Sequence, residues 1–137
     1  MLTPYIDSVG DVVVSHLTAS GFEIVTQASF KKPGDPDIAR LAPRSIAQAA
    51  IALGSDTRID GIFISCTALR ESGVLAKMER VIRKPVVSSN QALAWHCLRL
   101  AGHDDSLFGG GRLLMLPIKR TELGPNQSDI DAPATAY

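Results

Sequence analysis

Gly61-Ile62-Phe63-Ile64-Ser65-Cys66-Thr67 runs apolar without alternation as far as Ser65 and then delivers a thiol between two hydroxyl residues. A strand with one wet face alternates apolar and polar residues; one covered on both faces has no reason to. The stretch therefore reads as a buried parallel strand with Cys66 at its C-terminal end. Parallel neighbours need crossover connections, so the surrounding sequence should carry helices.

It does so on both sides. Upstream, Ile6, Val9, Val13 and Leu17 keep helical spacing after Pro4, with Gly21 as the stop. Phe22 to Ala28 reads as a strand, and Lys31 to Asp37, with Pro33, Gly34 and Pro36, should break regular structure. Pro43 opens a helix carrying Ile46, Ala49, Ala50 and Leu53, closed by Gly54. Downstream, Leu69 to Arg83 reads as a helix with Val74, Leu75, Met78, Val81 and Ile82 inward. Pro85 to Ser88 reads as a short strand, and Asn90 to Ala101 as a helix with Ala92, Leu93, Leu98 and Leu100, stopped at Gly102. Leu113 to Ile118 is a candidate further strand.

The result is an α/β chain whose open parallel sheet lacks most of its first strand, because Met1 and Leu2 supply only its last residues. In a flavodoxin-like order that strand is internal, and losing it leaves unpaired ladder edges, which favour self-association. The expectation is one domain over 1–118, beginning inside a larger fold, and a polar, disordered tail over 119–137.

Composition narrows the function. The 137 residues hold 14 Lys+Arg against 14 Asp+Glu, so no basic excess suits a nucleic-acid backbone or an anionic membrane surface. No apolar run approaches the roughly 18 residues of a membrane span, and Met1 to Asp7 lacks the form of a secretory signal. Cys66 and Cys97 read as reduced thiols of a cytoplasmic protein. His16, His96 and His103 have no ligand spacing to Cys66, so no metal site is expected.

Open α/β sheets place their chemistry at the carboxyl edge. Three loops fall there. Ser65-Cys66-Thr67 would put a thiol before a helix, where backbone N–H groups and the helix dipole favour the thiolate; the alternative is an inert buried cysteine. Cys97 lies inside a helix and reads as structural. Ser88-Ser89-Asn90-Gln91 opens a helix whose free N–H groups can hold a carboxylate, although capping alone accounts for part of it. Thr3-Pro4-Tyr5 is a strand exit whose phenol can donate to an anion. Gly109-Gly110-Gly111-Arg112 lacks the Lys-Ser/Thr ending of a phosphate loop, and Asp35 and Asp37 are turn residues by default.

The string from Phe63 to Arg70, Lys84 to Trp95, and Leu98-Arg99-Leu100-Ala101-Gly102 resemble the C-terminal half of the aspartate/glutamate racemase superfamily. The nearest likeness is to its maleate cis-trans isomerase and arylmalonate decarboxylase branch, including the ectoine-utilisation proteins. Thr3-Pro4-Tyr5, Ser29-Phe30 and Asp37 to Pro43 fit the same half in the same order, and the likeness covers about residues 2 to 115. It implies a cofactor-independent enzyme of two pseudo-symmetric α/β halves with a cleft for a small carboxylate or dicarboxylate between them: an isomerase or racemase, in which each half contributes a cysteine, or else a decarboxylase using a single cysteine. Cys66 aligns with the second half's cysteine and Tyr5 with a substrate-binding tyrosine, a placement the 61-residue gap between them fits. Asp35 falls where the family has an asparagine, and its charge would repel a substrate carboxylate. Ser65, Thr67, Ser89 and Asn90 are then candidate donors. The chain is expected to be half an enzyme, associating with a missing half or with a second copy. The alternative is a non-catalytic carboxylate-binding or assembly module.

Overall fold

The computed structural model describes residues 1–117. Four parallel strands, β1 (Leu2–Thr3), β2 (Ala28–Ser29), β3 (Ile62–Ile64) and β4 (Val86–Ser88), form one sheet in the order β2-β1-β3-β4. Five helices accompany them: α1 (Asp7–Ala19), α2 (Asp35–Ala39), α3 (Pro43–Gly54), α4 (Leu75–Ile82) and α5 (Ser89–Leu100). The α/β class and the open parallel sheet are as read from the sequence. β1 contributes only two residues, yet these join β2 to β3, so the sheet is continuous.

Register assigns the two faces. Leu2, Ile62, Ile64, Val86 and Ser88 share one face, with Leu2 beside Ile64 and Ile62 beside Val86. The buried Ile46, Ala47 and Ala50 of α3 and Leu75 and Met78 of α4 belong to the same core as these strand residues. Thr3, Phe63 and Val87 point to the other face, over which α1 lies. There Gly10 lets the helix come close: a Cβ would stand 2.6 Å from Gln27 Nε2 and 3.6 Å from the Thr3 methyl. The rest of α1 stays open, with Ile6, Val9 and Val12 exposed despite their helical spacing. A cavity of about 630 Å³ remains on this face, lined by Leu17, Phe22, Val25, Phe63 and Val87 among others.

Several expectations need correction. Phe22 to Gln27 is not strand, because β1 begins at Leu2 and offers that stretch no ladder to join. Lys31 to Asp37 is not wholly irregular: α2 starts at Asp35, helped by Pro36 in its first turn. Helix does not run from Leu69; a 3-10 turn over Ser72–Val74 intervenes and α4 begins at Leu75. Val81, expected inward, is exposed; Leu93 and Leu100 of α5 are exposed as well, and so is Cys97, which read as structural. Leu113–Met115 forms a 3-10 turn rather than strand, since Trp95 Nε1 and the Arg99 guanidinium occupy the carbonyls of Leu114 and Leu116. Ile118 and the expected tail over 119–137 lie outside the described residues, and no helix among the described residues is long and apolar enough to cross a membrane.

The segment after α5 is a strap held by buried side chains. Arg99, 3% exposed, donates to the carbonyls of His103, Asp105, Leu114 and Leu116. Glu79 accepts from Arg112 N at 2.8 Å and from Val86 N at 3.1 Å, joining the strap to β4. Gly111, at φ 97°, passes so close that a Cβ would meet Gln91 Nε2 at 2.6 Å.

Candidate active site

β1 and β3 are adjacent and parallel, so their exits place Tyr5 and Cys66 side by side at the carboxyl edge. Cys66 is 5% exposed and adopts φ 110°, a region that side chains other than glycine rarely occupy. Such backbone strain persists only where neighbours enforce it. Here the Cys66 N–H donates to Ser89 Oγ at 3.2 Å, and Cys66 Sγ accepts from Ala68 N at 3.3 Å. Ser89 is held in turn by the start of α5, where Ser88 Oγ caps Gln91 N at 3.2 Å.

Tyr5 meets this group from β1. Burial first, then its contact with the Cys66 side chain, push the phenol up to about 12, while a hydrogen bond with Ser65 works the other way and the Asp35 charge adds a small upward push. Cys66, Ser65 and Tyr5 therefore form one polar cluster, with Asp35 close enough to act on it through its field. The Tyr5 backbone is fixed as well: its N–H reaches Thr3 Oγ1 at 3.2 Å and its carbonyl accepts from Ser29 Oγ.

The sequence candidates separate into two groups. Tyr5, Ser65, Cys66 and Ser89 come together. Thr67 lies on the same loop with its side chain exposed, and Asp35 is exposed at the first turn of α2. Asn90 is turned differently from the expectation: its amide nitrogen faces the loop after Cys66, 3.2 Å from Thr67 O and 3.1 Å from Leu69 O. A donor spent on two main-chain carbonyls is not free for a ligand. The helix expected directly after Cys66 is displaced to Leu75, so the helix start touching the cysteine is that of α5, through Ser89. Glu71 was missed altogether. It is fully buried beside Asn90, and Ser72-Gly73 in the middle of an expected helix is the sequence signal that the chain turns there.

An open parallel α/β domain with this strand order, its polar residues gathered at the ends of β1 and β3, defines a class of flavodoxin-like halves. The arylmalonate decarboxylase family model matches residues 1–114, and the chain belongs to that family. Relatives include maleate isomerases of Pseudomonas putida, 26% identical over 83% of this chain and 46% of the relative, and of Nocardia farcinica, 29% identical over 83% and 45%. An arylmalonate decarboxylase of Bordetella bronchiseptica is 29% identical over 74% and 43%. Among solved structures, unliganded arylmalonate decarboxylase superposes with a TM-score of 0.72 at 30% identity, covering 82% of this chain and 50% of that one. A Nocardia farcinica maleate cis-trans isomerase variant with a covalently bound succinylcysteine intermediate shares the fold, with a TM-score of 0.78 at 24% identity over 83% and 46%. The chain thus spans about half the length of the relatives it matches.

Proposed function

We propose that this chain supplies one side of a cofactor-independent site for small carboxylic or dicarboxylic acids, with Cys66 as acid/base or nucleophile. The observation that carries the reading is the common edge at which adjacent β1 and β3 deliver Tyr5, Ser65 and Cys66, with the Cys66 N–H held by Ser89 Oγ on a backbone at φ 110°. Two chemistries fit. As a base, the Cys66 thiolate takes the α-proton of a carboxylic acid, becoming a thiol while the electron pair moves into the carboxyl group as an enediolate; return of a proton to either face completes a racemisation. As a nucleophile, the sulfur forms a C–S bond to one olefinic carbon of a maleate-like diacid. The π pair passes to the adjacent carboxyl, the former double bond rotates, and expulsion of the sulfur restores the double bond as the trans isomer.

Tyr5 serves as a donor to the substrate carboxylate. Its phenol stays protonated across the neutral range, so it offers a hydrogen atom and not a charge. Ser65, Thr67 and the hydroxyl hydrogen of Ser89 are the remaining donors for the developing oxyanion. Asp35 opposes an anion from its side. A complete cleft needs a second wall, in keeping with the half-length match, and that wall comes from another α/β half or a second copy of this chain.

The test is turnover of maleate and of arylmalonates by the chain and by Cys66→Ala and Cys66→Ser, with thermal shifts recorded on the same samples. Loss of turnover in both folded variants supports the reading. Equal turnover in parent and variants removes the thiol from the chemistry, and stabilisation by these acids without turnover in any sample reduces the chain to a binding module.

A further inference from the structure

Glu71 is a fully buried acid five residues after Cys66, at the start of the Ser72–Val74 turn. Its Oε1 lies 3.4 Å from Asn90 Nδ2, and its Oε2 is buried with no hydrogen-bond partner among the described residues. Burying a carboxyl is costly, and an unpaired oxygen adds to the cost. Leu would fill the volume without it, so packing does not account for a side chain with a polar end at this position.

The one group that the Glu71 side chain reaches among the described residues is informative. Asn90 Nδ2 carries two hydrogens and has three oxygens within 3.4 Å: Thr67 O, Leu69 O and Glu71 Oε1. Turning the amide nitrogen away breaks its contact with all three. Two of them belong to the loop that follows Cys66, and the same loop supplies the Ala68 N–H that meets the Cys66 sulfur. We propose that Glu71 is a positioning residue for Cys66: through Asn90 it fixes the 67–69 loop, and with it the Ala68 N–H against the thiol. The inference rests on the reading of Cys66 as the reacting group, and it assigns to Asn90 the part of a tie in place of a ligand.

The test uses the full chain carrying Cys97→Ser, which removes the exposed second thiol. Two quantities are read: the rate of Cys66 alkylation by iodoacetamide under native conditions, and hydrogen exchange at the Ala68 amide. Glu71→Ala and Asn90→Ala are each expected to change both by at least about fivefold, and the double variant to go no further than either alone, as coupled groups do. Glu71→Gln keeps a carbonyl oxygen toward Asn90 and is expected to bring both readouts back to within about twofold of the parent. Arg99→Met, which loosens the distant strap, is the control for general destabilisation and is expected to leave Ala68 exchange near the parent value. Parent-like values in a folded Glu71→Ala protein, additive effects in the double variant, or an equal change in Arg99→Met overturn the proposal. Should Glu71→Ala not fold, Asn90→Ala decides alone, and parent-like values there overturn it too. A Cys66 inert to iodoacetamide in the parent defeats the functional reading, while Ala68 exchange still tests the tie.

Discussion

Cys66 holds a conformation that costs on the order of 1–3 kcal/mol for a residue with a Cβ. Glycine accepts φ 110° freely. Cys66→Gly is therefore expected to raise stability by about 1 kcal/mol, net of the small buried side chain it removes, while abolishing any chemistry of the thiol; urea unfolding beside an activity assay checks both. Tyr5 gives a pH signature. Its pKa is raised from 10.0 in the unfolded chain to about 12 in the fold. The unfolded state thus loses its proton first, and the contribution of Tyr5 to stability is complete below pH 10 and is lost as pH climbs toward 12. Tyr5→Phe should flatten the fall of melting temperature in that window. Asp35, exposed and acting on Tyr5 by its charge, is expected to weaken anion binding: Asp35→Asn should tighten the apparent affinity for a dicarboxylate by about 2- to 5-fold at low salt, an effect that fades at high salt, as calorimetry would read it. Tyr5 and Cys66 were legible as a pair because adjacent parallel strands end at a common edge. The rotation of Asn90 was not legible, since it depends on carbonyls of a loop whose path only the fold fixes.

At the level of elements, strand and helix cores were readable wherever punctuation was strong. Gly21 and Gly102 sit at φ 89° and φ 80° just past the ends of α1 and α5, as the stop signals implied. Pro43 opens α3 and Gly54 closes it. The failures came where an element needs a partner the local pattern cannot reveal. Phe22 to Gln27 has strand composition and no ladder to join, and Leu113 to Leu116 has strand composition and surrenders its carbonyls to Arg99 and Trp95. That second case yields a prediction. Arg99→Met keeps a buried aliphatic stem but takes a donor from four carbonyls, those of His103 and Asp105 keeping none among the described residues, and should cost about 2–4 kcal/mol. The loss should be concentrated in the strap, so limited proteolysis between His103 and Leu116 checks it together with denaturant unfolding.

For the whole molecule, the two sheet faces are unequal. α3 and α4 seal one against Leu2, Ile62, Ile64 and Val86, while the α1 side keeps exposed apolar residues and a cavity of about 630 Å³. Stability should follow that asymmetry. Met78→Ala, in the sealed face, is expected to cost about 2–5 kcal/mol, and Leu17→Ala, beside the cavity, less than about 1 kcal/mol; chemical denaturation of the two variants side by side makes the comparison. The apolar stripe of α1 was readable as a helix, but not as one that leaves its stripe uncovered, because periodicity marks a face without saying whether anything is there to meet it. The strap carries a different consequence. Among the described residues Arg99 is held by oriented peptide dipoles and no counter-ion, whereas the pairs Lys31–Asp7 and Arg40–Asp37 sit in open solvent. Mobile ions screen charges that face water and scarcely reach a guanidinium sealed among carbonyls. Raising ionic strength therefore loosens the rim of this molecule and leaves its C-terminal fastening untouched.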